Sequence, residues 1–338
     1  MEALKVDRID AALEKLASHQ FACHLCPREC DADRQADGSG FCRTGIKAVL
    51  SHALLHFGEE PVLSGYHDWK SEADLPPAVQ AGSGTIFFSG CNLKCLFCQN
   101  HQISWRKQGR AVTDDELAGL MLDLQKRGAL NINLVSPSHL VIPILRALRL
   151  AYDQGLRLPL VWNSNGYEKP EVIGALDGIV DIYLPDMKYH SPLVSGRYSG
   201  AQDYFAWAAE SIREMARQQP RLILDERDIA LGGLIIRHLI LPGQSDDSLQ
   251  VLEWIDRNLP HAIGLSLMSQ YHPCFRAPED IRRPITRQEL KKVLSRAEKM
   301  DMEVLFVQPE PFGGQEHLIP DFDRDEPFDW EKKSGRRP

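Results

Sequence analysis

Apolar and polar positions follow two patterns along this chain, and the pattern changes near residue 84. Over residues 7–17 the apolar positions recur at helical spacing, which predicts an amphipathic helix. Further on, short apolar runs alternate with longer helical stretches. Runs at 85–89, 131–135, 158–162, 179–184, 234–241, 264–268 and 303–307 read as buried strands. The stretches 113–127, 139–152, 170–176, 204–217 and 247–258 read as helices, and another starts at 286. Thr113-Asp-Asp-Glu116 and Thr286-Arg-Gln-Glu289 are capping boxes, whose hydroxyl and carboxylate satisfy free N–H groups at a helix start. Gly128 stops the first of these helices.

Strands that are apolar throughout and separated by helices predict a parallel sheet in an α/β fold. Six or seven βα units point to a partial TIM-like (β/α)6 barrel more than to an open doubly wound sheet, although both share this period. In a barrel, chemistry belongs at the C-terminal strand ends. The expected division is an N-terminal Cys-rich extension and insertion loop (1–83), the barrel (84–307) and an irregular C-terminal tail (308–338). Residues 64–83 are mostly polar with Pro76 and Pro77, and the tail carries Pro309, Pro311, Gly313, Gly314 and Pro320.

Composition narrows the class only slightly. Hydrophobic residues make up 43% and charged residues 25% of 338, enough for a sizeable core. No apolar run approaches a membrane span, and residues 1–20 lack the apolar centre of a secretory signal, so a cytoplasmic enzyme is expected. A net charge of −8, with basic residues only in pairs such as Arg106-Lys107, argues against a nucleic-acid partner.

Cysteine carries more information. Seven of eight fall in two groups: Cys23, Cys26, Cys30 and Cys42, then Cys91, Cys95 and Cys98. In a reducing compartment such spacing reads as metal binding rather than as a disulfide framework. Cys91-Asn-Leu-Lys-Cys95-Leu-Phe-Cys98 follows closely on a strand. Three thiolates on a four-iron cube leave one iron open to a cofactor or substrate. Zinc is the alternative, with His101 as a nearby fourth ligand.

The segment Phe87-Phe-Ser-Gly-Cys-Asn-Leu-Lys-Cys-Leu-Phe-Cys-Gln-Asn resembles the signature of radical S-adenosylmethionine enzymes, especially homologues of pyruvate formate-lyase activating enzyme. The resemblance implies a 4Fe–4S cluster on Cys91, Cys95 and Cys98, with S-adenosylmethionine on the fourth iron. It also implies a 5′-deoxyadenosyl radical that abstracts hydrogen, Phe97 beside the adenine, and an electron donor such as flavodoxin or ferredoxin. A glycyl-radical enzyme or other protein is one substrate class; a small metabolite is the rival.

The other strand ends supply further candidates. Ser136-Pro-Ser138-His139 stands where the family has Gly-Gly-Glu, so Ser136, Ser138 and His139 are candidates for the cofactor amino group. An N-cap role for Ser138 is the alternative. Asn163-Ser164-Asn165-Gly166 resembles Asp-Thr-Asn-Gly, which holds the cofactor carboxylate; Asn163 replaces the acid and so removes a cation ligand. Pro185-Asp186-Met-Lys188 resembles Asp-Leu-Lys, with a structural ion pair as the alternative. Of Arg237 and His238, one faces into the barrel. His272 resembles a family histidine near the ribose.

Cys23-x2-Cys26-x3-Cys30-x11-Cys42 supplies four thiolates, enough to close a second iron–sulfur cluster or a zinc site; spacing leaves the metal open. His24, His52 and His56 are nearby. Cys274 reads as a small core residue, with a radical-relay role as the alternative. A redox protein without catalysis and a zinc-stabilised binding module are the readings from other functional classes.

Overall fold

A computed structural model describes residues 2–36, 40–65, 82–307 and 319–328. The elements in chain order are α1 (Glu2–Leu16), β1 (Ala48–His56), α2 (Pro61–Ser64), β2 (Ser83–Phe88), α3 (His101–Ser104), β3 (Arg110–Val112) and α4 (Asp114–Lys126). They continue with β4 (Ile132–Val135), α5 (Val141–Asp153), β5 (Leu160–Ser164), α6 (Pro170–Gly174), β6 (Ile182–Pro185), α7 (Pro192–Ser199) and α8 (Tyr204–Gln218). The last are β7 (Ile223–Leu224), β8 (Ala230–Leu239), α9 (Ser245–Asn258), β9 (Gly264–Met268), α10 (Arg287–Ala297) and β10 (Val304–Val307).

Local chemistry sets the helix starts. Thr113 and Thr286 each accept from the N–H of a Glu three residues on, whose carboxylate accepts from the Thr N–H in return. Proline opens α2, α6 and α7, where its missing N–H has no role to lose.

Among the described residues, β2, β4, β5, β6, β8, β9 and β10 are parallel neighbours in that order. β1 runs antiparallel along β2 and β3 antiparallel along β1, while β7 pairs with β8. The sheet curls. Glu59, in the turn before α2, touches Asn133 on β4 and Arg237 on β8, although β5 and β6 separate those strands. Val62 and Leu63 of α2 pack with Val161, Ile182, Leu184 and Ile235, so α2 plugs the concave face. The alternate residues Trp162, Tyr183 and Ile236 join the larger core under the helices. This is the partial barrel that the periodicity predicts.

The boundary expected at residue 84 falls inside the sheet. β2 begins at Ser83, and β1 comes from the stretch assigned to the extension. Only the first three residues of β1 are fully buried, so it lacks the continuous apolar run of an inner strand.

The expected tail also divides. Residues 319–328 return to the barrel: Phe322 is buried against Phe87, Ile103 and Val135, and Gln102 donates to Asp321 and Asp323. Residues 66–81 of the expected insertion, with 308–318 and 329–338 of the tail, lie outside the described residues.

Candidate functional site

The three-cysteine loop leaves the C-terminal end of β2. Gly90 has φ +86°, and a side chain there would stand 3.0 Å from the Cys42 carbonyl oxygen and from His139 Nε2. Glycine thus lets the N-terminal cysteine segment close directly onto the loop. Backbone bonds fix the rest. Lys94 and Leu96 donate to the Ser199 and Tyr198 carbonyls, and Arg276 donates to that of Leu96.

Each thiol has a polar neighbour. Asn165 Nδ2 lies 3.3 Å from Cys91 Sγ, Ser199 Oγ 3.0 Å from Cys95 Sγ, and Ser104 Oγ 3.2 Å from Cys98 Sγ. Burial, reinforced by Cys95 and Cys91, pushes the Cys98 thiol up to about 12. Burial also raises Cys95, against the opposing pull of Lys188. Left as free thiols, Cys95 and Cys98 stay protonated at neutral pH; a bound metal centre removes the proton outright.

Next to this loop a charged network spans the strand ends. Lys188 Nζ is 2.5 Å from Asp186, whose other oxygen lies 3.2 Å from Arg237 Nε. Arg237 also reaches Glu59 at 3.4 Å and donates to Asn163 Oδ1. Burial pushes Asp186 upward, but Lys188 and Arg237 outweigh it and hold the carboxyl low. Lys188 is raised, against burial, by Asp186 and Cys95. Where the family motif has an acid, Asn163 here meets a guanidinium.

The remaining candidates separate by face. Arg237 points inward, whereas His238 is 1% exposed toward the helices and bonds the Met187 carbonyl. Ser164 donates to buried Glu168, which also receives Trp162 Nε1 and Ser138, so these two serines brace the β5 turn. Pro137 stands at the N-cap of the short helical turn Ser138–Leu140 and Leu140 at that of α5, so Ser138 is not the N-cap of either. Ser136 ends β4 half-buried with φ +58°, and His139 lies against the Ser89 carbonyl. Phe97 is buried edge-on to Tyr198 and Tyr271. His272 is half-buried in the strip whose Cys274 and Arg276 bond the Phe97 and Leu96 carbonyls. His101, the sequence's fourth-ligand candidate for zinc, stacks on Phe275.

In the N-terminal group, Arg34 is 4% exposed and its Nη1 lies 3.5 Å from Cys23 Sγ and 3.8 Å from Cys42 Sγ. Burial pushes Cys26 up to about 12, with Cys23, Cys42 and Cys30 adding to it. His52 and His56 instead face Phe322 and Phe328. All eight cysteines are free, and among the described residues no three His, Cys, Asp or Glu side chains stand close enough to grip a single ion.

Sequence reasoning missed Glu59, Asn133, Arg34 and Glu168. Only Glu59 had a local signal: Glu59-Glu60-Pro61 reads as a helix start.

Residues 85–255 match the family model described as Radical SAM superfamily, which covers half of the chain. Uncharacterized protein MJ0674 of Methanocaldococcus jannaschii is 31% identical over 319 residues, covering 90% of this chain and 83% of that protein. Uncharacterized protein MJ0808 of the same organism is 24% identical, covering 83% and 80%. Among solved structures, Streptococcus suis SuiB aligns with a TM-score of 0.44 and 11% identity over 67% of this chain. Native anSMEcpe with bound AdoMet aligns with a TM-score of 0.44 and 10% identity over 64% of this chain. The alignments span 48% of the SuiB chain and 61% of the anSMEcpe chain. Among the described residues no helix is long and apolar enough to cross a membrane. On the family match over half of the chain, with the cysteine loop at the mouth of a partial barrel, the chain belongs to the radical SAM superfamily.

Proposed function

We propose that Cys91, Cys95 and Cys98 hold a 4Fe–4S cluster with one iron free of protein ligands, and that S-adenosylmethionine binds there. The observation that carries this is the loop itself: three hydrogen-bonded thiols at a strand end, beside a charged network. The donor set fits the cluster. Thiolates on separate corners of a cube need not converge on one ion, and His101 is engaged with Phe275. When bound, the group supplies one-electron cleavage of the sulfonium to a 5′-deoxyadenosyl radical, fed by a flavodoxin- or ferredoxin-type donor in a reducing cytoplasm.

The protein's part is to hold, orient and exclude water. Asn165 fixes the first thiol. By the motif resemblance, Ser136, Asn163 and His272 would contact the bound cofactor, and buried Phe97 would offer it aromatic surface. Lys188 offsets negative charge at Cys95. Ser164 and Ser138 act through Glu168 as positioning residues.

The target in this reading is a carbon–hydrogen bond of a polypeptide partner, with a glycyl-radical enzyme as the form the motif resemblance suggests. The four N-terminal cysteines hold a second metal centre; its support is the convergence of Cys23 and Cys42 on a buried guanidinium.

The test is anaerobic reconstitution, dithionite reduction and assay of 5′-deoxyadenosine. Release by the native chain, lost on changing Cys91, Cys95 or Cys98 to Ala, supports the reading. An intact cluster without product removes it.

A further inference from the structure

Among the described residues, acidic side chains outnumber cations on the concave side of the barrel. Glu59, Glu60 and Asp186 are three acids, against Arg237 and Lys188. Asp186 pairs with both cations, and Glu59 contacts Arg237 and Asn133. Glu60 is left over. It is 8% exposed, it lies beside Ser266 of β9, and its Oε2 is buried with no hydrogen-bond partner among the described residues. Asn133, on the same inward face, has a second buried acceptor oxygen without a partner. Burial pushes the Glu60 carboxyl up against the pull of Arg237, and a cation in the cleft would offset that burial and supply the missing donor.

Space for one is present. A cleft of about 250 Å³ is lined by Glu59, Glu60, Pro61, Ser266, Leu305 and Phe306. That is below the usual range for a whole small-molecule ligand, and suits a single side chain. Its walls differ. Pro61, Leu305 and Phe306 offer an apolar wall for a methylene stem. Glu60 and Ser266 form the polar end.

We propose that this cleft is a substrate-recognition subsite for an aliphatic chain ending in a positively charged nitrogen, an alkylammonium or alkylguanidinium, with Glu60 as its anchor. As a substrate subsite it rests on the radical-enzyme reading, because Arg237 links its Glu59 to Asn163 and Asp186 at the strand ends. Glu60 is thus a specificity residue and takes no part in radical generation.

The experiment is ligand-observed NMR on the anaerobically reconstituted full chain, with n-butylguanidinium and n-butylammonium as probes and n-butyramide as the uncharged control. The cations bind, butyramide does not, and Glu60→Gln weakens the cations about tenfold or more. Leu305→Lys, which places a tethered ammonium in the cleft, abolishes binding by a separate route. Capped Nα-acetyl-arginine amide and Nα-acetyl-lysine amide separate the two sources of such a group: tighter binding than the free alkyl cations marks a polypeptide side chain, weaker binding a free amine. Cation binding that is absent at about 10 mM, or unchanged by both substitutions, overturns the proposal. Release of 5′-deoxyadenosine, assayed on the same samples, keeps the failures apart. Release without cation binding sinks only the subsite, and cation binding without release sinks the radical reading and the substrate role that rests on it, leaving only a cation site.

Discussion

Asn165 reaches across from the end of β5 to place its Nδ2 3.3 Å from Cys91 Sγ and 2.7 Å from Asn92 Oδ1. Its own Oδ1 accepts from the Tyr167 N–H, and Asn92 Nδ2 donates to the Tyr167 carbonyl. The turn after β5 and the cysteine loop after β2 are therefore locked side chain to backbone. An N–H aimed at a cluster thiolate favours the more negative, reduced state. Asn165→Ala should leave iron content unchanged and lower the cluster potential by on the order of 50–100 mV. Redox titration followed by EPR checks this; an unchanged potential removes Asn165 from the electrostatics of the site.

Gly166 holds the same turn by a different means. Its φ is +76°, and a Cβ there would lie 2.2 Å from the Asp186 carbonyl oxygen. Gly166→Ala combines an unfavourable backbone region with a backbone clash, and should cost on the order of 3 kcal/mol. Denaturant unfolding of the variant measures it.

Two buried histidines make the fold acid-sensitive. Burial lowers His238 to about 4 and His139 to about 3, from 6.5. Below pH 6.5 the unfolded chain takes up protons that the folded chain refuses, so stability falls as pH falls toward those values. Each histidine should contribute a loss on the order of 1 kcal/mol per pH unit in that window. His238→Gln, which keeps a donor for the Met187 carbonyl, should flatten the difference in unfolding free energy between pH 7 and pH 5 relative to the native chain. Parallel curves would show that His238 does not contribute.

Arg34 is the group that would hold the proposed N-terminal metal site together. Cys23, Cys42, Thr44 and the carbonyls of Gly45 and His139 surround its guanidinium. Arg34→Met should lower metal bound at the N-terminal cysteines while sparing the iron held by Cys91, Cys95 and Cys98. Iron and zinc counts on this variant, beside Cys23→Ala and Cys42→Ala, check it and identify the metal. Full retention by Arg34→Met contradicts the role.

What could be read from the sequence was whatever is local in the chain. Both capping boxes fit in four residues, and the inner strands declare themselves because burial on two faces demands continuous apolar runs. The cysteine loop was visible because its three ligands lie within eight residues. Glu59 was not visible, because its meaning comes from Arg237, 178 positions away. β1 was missed because a half-buried strand carries a mixed pattern, and Phe322 because nothing in its polar surroundings marks its partner, Phe87.

The central claim is that one iron of the Cys91–Cys95–Cys98 cluster has no protein ligand. EPR of the dithionite-reduced protein, before and after adding S-adenosylmethionine, addresses that iron directly, most cleanly in Cys23→Ala or Cys42→Ala protein. The account predicts a clear change of the cluster signal, and methionine labelled with 17O or 15N should show coupling to the iron. A signal indifferent to S-adenosylmethionine, or a protein nitrogen or sulfur on the fourth iron, contradicts it.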